Sequence, residues 1–228
     1  MAEVLLREIG RPPGPEMENS NDRESYSLAA GLGLGLIMFS KGVQPDEFAD
    51  LDIASQLYHY IEGGYQKPLT GPTRDKYKSP SYQIKEGKRV NIDVTSPGAT
   101  LALGMIFFGS NNKAVAQWML APETTYLLDQ IRPDFLLLRT ISYGLIMWSS
   151  VIPTNRWIEK NVPQLVLRHI ANYEETNIEE PNIDYETMYQ AFFNLVAGSC
   201  MVLGLKFAGS ANGDAFNVIY KYTTMLFK

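Results

Sequence analysis

The stretch AAGLGLGLIMFS, residues 29–40, decides the fold. It sets Gly31, Gly33 and Gly35 among large apolar residues and carries no charge. It also recurs. GATLALGMIFFG at residues 98–109, LRTISYGLIMWS at 138–149 and GSCMVLGLKFAG at 198–209 align with it without a gap, on the anchors Gly35, Gly104, Gly144 and Gly204.

The columns of this alignment have distinct characters. Four positions before the anchor stand Gly31, Thr100, Thr140 and Cys200, and two before it Gly33, Ala102, Ser142 and Val202, mostly small residues. Directly after it come Leu36, Met105, Leu145 and Leu205, and two later Met38, Phe107, Met147 and Phe207, all large and apolar. Five positions after it stand Ser40, Gly109, Ser149 and Gly209. On a helix, positions four apart fall on one face, so the small residues form a stripe while large ones occupy the remaining faces. Such a helix is apolar nearly all round and has to be buried. Each interior glycine costs about 0.5 to 1 kcal/mol relative to alanine, and close packing on a neighbouring helix is the compensation the pattern predicts.

After each buried helix a polar turn leads to a more amphipathic stretch, at residues 45–62, 112–120, 154–170 and 213–227. Each copy therefore reads as a helical hairpin, and the fold class as all-α, an α-solenoid of hairpins. Ser96 and Pro97 have the chemistry of an N-cap and a first helical residue for the second copy, and Lys41-Gly42 and residues 209–213 supply stops. The repeats are assigned to residues 26–62, 96–121, 124–170 and 185–228, preceded by the end of an earlier repeat and a linker at 1–25.

Anchor spacings of 69, 40 and 60 residues put the unit near 40, with the excess in insertions at 63–95 and 172–187. The first is basic, carrying Lys76, Lys78, Lys85, Lys88 and Arg89, and its alternating stretch from Val90 to Val94 predicts a short β element. The second is acidic, with Glu174, Glu175, Glu179 and Glu180. Insertions on one face of a repeat array are where partners bind, so these nine residues are the candidate partner-binding set. Ser79, followed by Pro80 and flanked by lysines, is a candidate phosphosite.

A net charge of -5 over 228 residues gives no basic field, which excludes nucleic acid and anionic membrane as default partners. The apolar part of each buried segment is nearer a dozen residues than the roughly 20 of a bilayer span. One cysteine and no glycosylation sequon point to a reducing, intracellular setting, the nucleus and cytoplasm. The first ten residues, with Glu3 and Glu8, read as neither secretory nor transit segment. Residues 4–9 look like the tail of an earlier repeat, and residues 214–228 end without a polar cap, so the expectation is a piece of a longer protein.

Catalytic chemistry is missing from the pattern. Two histidines, His59 and His169, and the single Cys200 form no metal-ligand spacing, and none belongs to a visible triad. The glycines at 31, 33 and 35 lie inside an apolar helix, with no preceding strand and no following Lys-Ser/Thr, so they are no phosphate loop. Trp118, Trp148 and Trp157 fall at helical positions as core residues, with Trp157 the best surface candidate. No enzyme, cofactor, metal or small-molecule substrate is expected.

A buried helix with a small stripe, a Gly/Ser/Asn turn and an outer helix in units near 40 residues resembles the proteasome/cyclosome repeat. Residues 22–31 (DRESYSLAAG), 78–87 (KSPSYQIKEG), 97–103 (PGATLAL), 135–140 (FLLLRT) and 207–210 (FAGS) are similar to the family of large scaffold subunits of the anaphase-promoting complex. The 78–87 stretch lies in an insertion that generic repeats would not share. The resemblance implies that the hairpins form part of a toroid, inner helices lining its axis. It also implies a non-catalytic scaffold of a multi-subunit ubiquitin ligase, holding cullin-like catalytic and coactivator or substrate-recognition subunits for the ubiquitination of cell-cycle regulators. The alternative within the same repeat class is a proteasome regulatory-particle subunit that docks ubiquitin-like domains. Leu138, where the other copies carry Ala or Gly, departs from the pattern and predicts looser packing.

Overall fold

The computed structural model describes residues 1–43, 52–66, 81–176, 178 and 180–226. Among these residues the chain is all-α, with eleven α-helices and no strand. It divides into two compact units, Met1–Phe107 and Phe108–Lys228.

Unit one holds α1 (Ala2–Ile9), α2 (Ser20–Ile37), α3 (Ile53–Glu62) and α4 (Ile92–Ile106). Helix α2 starts on a capping box. The Asn19 side chain accepts from the Asp22 N–H at 3.1 Å, while the Asp22 carboxylate accepts from the N–H groups of Asn19 and Glu18. Two of the orphan donors at the helix start are thereby satisfied, six residues before the repeat boundary drawn from the alignment. Helix α2 packs on α4 and α1, and α3 closes over α4. Leu34, Leu57 and Leu103 are fully buried, and burial of such a side chain contributes about 2 kcal/mol, enough to offset two or three interior glycines.

The start of α4 corrects the expected cap. Ser96 and Pro97 lie inside the helix, which begins at Ile92 behind Asn91. Ser96 is buried and caps nothing. Asp93 in the first turn favours the helix dipole, and Thr95 Oγ1 donates to Tyr60 O at 2.7 Å, tying the first turn to α3. Among the described residues the β element of the first insertion reduces to one antiparallel bridge between Tyr65 and Arg89. The Gln66 N–H donates to Lys88 O and the Val90 N–H to Gly64 O. Residues 92–94 are helical, because Val94 turns into the core instead of alternating.

Unit two holds α5 (Lys113–Gln117), α6 (Thr125–Leu128), α7 (Pro133–Ile146), α8 (Asn155–Lys160), α9 (Gln164–Thr176), α10 (Tyr185–Phe207) and α11 (Gly213–Leu226). Asn112, Thr124, Thr154 and Asp184 cap α5, α6, α8 and α10 through their side chains. The outer stretch at 154–170 is two helices rather than one, broken before Pro163, whose ring and missing N–H interrupt a continuous ladder. The long α10 packs on α7 and is flanked by α9 and α11. By length and apolar composition α10 is able to cross a bilayer, contrary to the dozen-residue expectation. Met188, Ala191, Leu195, Val196, Val202 and Leu203 instead sit in the core cluster with Leu136, Ile158 and Val166.

Candidate functional site

The helices meet through their small residues. In unit one a Cβ on Gly31 would collide with the backbone of Gly98, and a Cβ on Gly98 would stand 2.5 Å from Ser27 O. One turn on, a Cβ on Gly35 would meet Met105 Cβ at 3.0 Å and Ala102 Cα at 3.2 Å. Unit two shows the same relation between α7 and α10. A Cβ on Gly144 would lie 2.5 Å from Val202 Cγ1, and one on Gly198 would lie 2.8 Å from Leu137 O. Thus in both pairs the anchor glycine faces the column two before the anchor in the next copy. Gly104 is buried in α4, whereas Gly204 is exposed and its Cβ would meet nothing within 4 Å.

A second link joins copies at their turns. Ser40, Gly109 and Gly209, all five positions after an anchor, adopt left-handed backbone with φ 60°, 67° and 70°. The Ser40 N–H donates to Met105 O at 3.0 Å, and the Gly109 N–H to Leu145 O at 2.9 Å. Both acceptors directly follow an anchor. Copy three lacks the left-handed residue, and its turn is the 3-10 segment Trp148–Ser150. There Lys206 Nζ donates to Trp148 O at 2.7 Å and Val151 O at 2.8 Å, so a lysine from copy four does the work of a backbone amide.

The basic insertion is held by a buried charge. Arg23 is 2% exposed; its Nη1 donates to Ile9 O, and its Nε lies 3.9 Å from the Glu86 carboxylate. Burial lowers the guanidinium's pKa, with the Glu86 charge opposing that shift. Asn91 Nδ2 donates to Glu86 as well, and the Ser81 N–H and Oγ donate to Pro13 O and Met17 O. With Glu86 turned inward, Lys85, Lys88 and Arg89 stand exposed and make no ion pair among the described residues. The Arg89 guanidinium lies 5.5 Å above the Tyr65 ring. Lys76, Lys78 and Ser79 lie outside the described residues, as does Glu179.

The acidic insertion is shorter than its sequence boundaries suggested. Glu174 and Glu175 are exposed on the last turn of α9, and Tyr185 already begins α10. Glu180 is tethered, accepting from His169 Nδ1–H at 3.1 Å and Asn172 Nδ2 at 3.3 Å, while the Tyr185 hydroxyl accepts from its N–H. Those hydrogen bonds, His169 first, hold its carboxyl below the ordinary value. The other histidine, His59, donates through Nε2 to Tyr65 O. Trp157, the best surface candidate of the three tryptophans, is buried in the core, and Trp148 packs on Phe108. Arg23 and Lys206 escaped sequence reasoning, since an isolated charge beside an apolar run reads as solvated.

These features define a helical-hairpin repeat protein, whose inner helices pack through glycine seams and whose insertions are pinned to the scaffold. The whole chain, residues 1–228, matches the family model described as the APC1 fifth domain, and the chain belongs to that family. It is 50% identical over 222 residues to the anaphase-promoting complex subunit 1 of Homo sapiens, covering 97% of this chain and 11% of the relative. The Arabidopsis thaliana subunit 1 is 34% identical over 98% of this chain and 13% of its own length. A protein of Emericella nidulans named negative regulator of mitosis is 31% identical over 97% and 10%. The chain thus spans about a tenth of the length of these relatives. The proteasome alternative is not favoured by these similarities.

Proposed function

We propose that this chain is a non-catalytic scaffold segment of the anaphase-promoting complex, a ubiquitin ligase, acting in the nucleus and cytoplasm. In this reading it positions cullin-like catalytic and coactivator subunits so that cell-cycle regulators are ubiquitinated. The observation that carries the proposal is the full-length match to the APC1 fifth domain, joined to relatives named for that complex and for mitosis. The architecture supports it. Packed hairpins give rigid spacing between surfaces, and the pinned basic and acidic insertions offer charged faces to neighbours.

The test is made in the intact long polypeptide, tagged and purified from dividing cells with and without this segment. Removal is expected to strip some subunits from the complex and to reduce ubiquitination in proportion to their loss. A segment-deleted complex with full stoichiometry and full ligase activity would overturn the reading.

A further inference from the structure

The basic stretch at residues 81–90 is built rather than merely charged. Its backbone is fixed by the Tyr65 and Arg89 bridge, by the Ser81 bonds to Pro13 and Met17, and by the Glu86 contact with buried Arg23. The only carboxylate within residues 81–90 is therefore the one pointing inward. Lys85, Lys88 and Arg89 face solvent with no acid among the described residues paired to any of them, on a chain whose net charge is -5. Arg89 rests on Tyr65, itself 72% exposed, which orients the guanidinium and leaves its N–H edges open. A stacked, oriented guanidinium matches a carboxylate through two parallel N–H bonds, which a lysine cannot do. Because the arm is already ordered, little further ordering entropy is lost on binding.

We propose that Tyr65, Lys85, Lys88 and Arg89 form a docking surface for an acidic peptide segment of a partner protein, with Arg89 taking a carboxylate and the two lysines supplying attraction. This rests on the scaffold reading and names the chemistry of one of its partners. Nucleic acid and anionic membrane fit less well, since three cations on an acidic chain make no extended basic field.

The experiment uses the full 228-residue chain and a fluorescein-labelled peptide alternating Glu and Ser, followed by anisotropy, with the Gln and Ser peptide as comparison. Expected are binding of the Glu peptide alone, weakening with added salt, and at least a roughly tenfold loss in the triple variant K85E/K88E/R89E. Arg89→Lys, which keeps the charge, should weaken binding by about threefold or more. The exposed Lys113→Glu in unit two should leave it unchanged. Equal binding of the Gln peptide, an undiminished triple variant with an unaltered helical circular-dichroism spectrum, or stronger binding of a single-stranded oligonucleotide or phosphatidylserine vesicles would each overturn the proposal. Recovery of the intact complex with the triple variant in place would leave the scaffold reading standing while the peptide assay decides the docking surface.

Discussion

Cys200 occupies the small column four residues before Gly204, half-buried on α10, and burial pushes its thiol up to about 11. A thiol reacts as its thiolate. Iodoacetamide at about pH 8 should therefore label the native chain slowly and the urea-unfolded chain fast; equal rates would show that the site is open. Glu180 makes the opposite case, a carboxyl whose pKa is lowered by His169 and Asn172. A depressed folded pKa adds stability that is present above the ordinary glutamate value and disappears as pH falls through the lowered one. Compared with Glu180→Gln from about pH 7 to about pH 3, the native chain should melt higher at neutral pH, with the difference closing in acid. A gap independent of pH would assign the effect to packing. Neither tether was legible in sequence, because His169 and Glu180 are eleven residues apart and come together only through the turn after α9.

At the scale of the helix, the anchor glycines are not equivalent. Gly31→Ala has to drive a methyl into the Gly98 backbone, which no rotamer relieves, and should cost about 3 kcal/mol as overpacking. Gly204→Ala meets nothing and should stabilise this chain by about 0.5 to 1 kcal/mol through lost unfolded-state freedom. Urea titration of both variants reads the two signs, and a destabilising Gly204→Ala would mean that α10 is constrained in a way its open face does not show. The buried helices were readable because a stripe of small residues among large ones has few other physical meanings. Their ends were less so. Ser96-Pro97 has the chemistry of a helix start, yet the Asp93 charge and the Thr95 bond to α3 favour a start a turn upstream, behind Asn91, and place the proline within α4.

For the molecule as a whole, the all-α class and the hairpin order followed from four aligned segments, since periodicity and turn chemistry are local properties. What pins the insertions did not follow. Arg23 and Glu86 are distant in sequence, and nothing in either neighbourhood marks one as the other's partner. The same blindness covers the turn-to-turn bonds from Ser40 to Met105 and from Gly109 to Leu145, although the small residues five places after each anchor were their visible trace. Those bonds divide the chain's joints into two kinds. At the first two turns from an inner helix to its outer one, the Ser40 and Gly109 amides are committed to the next copy, and one added residue there would shift the register of a whole seam. Where an outer helix passes to the next inner one, the described residues are fastened nearer home, as Val90 is to Gly64 and Glu180 to His169. Epitope tags and reporter domains therefore have no natural home at the first kind of joint, where an insertion is felt by two copies at once.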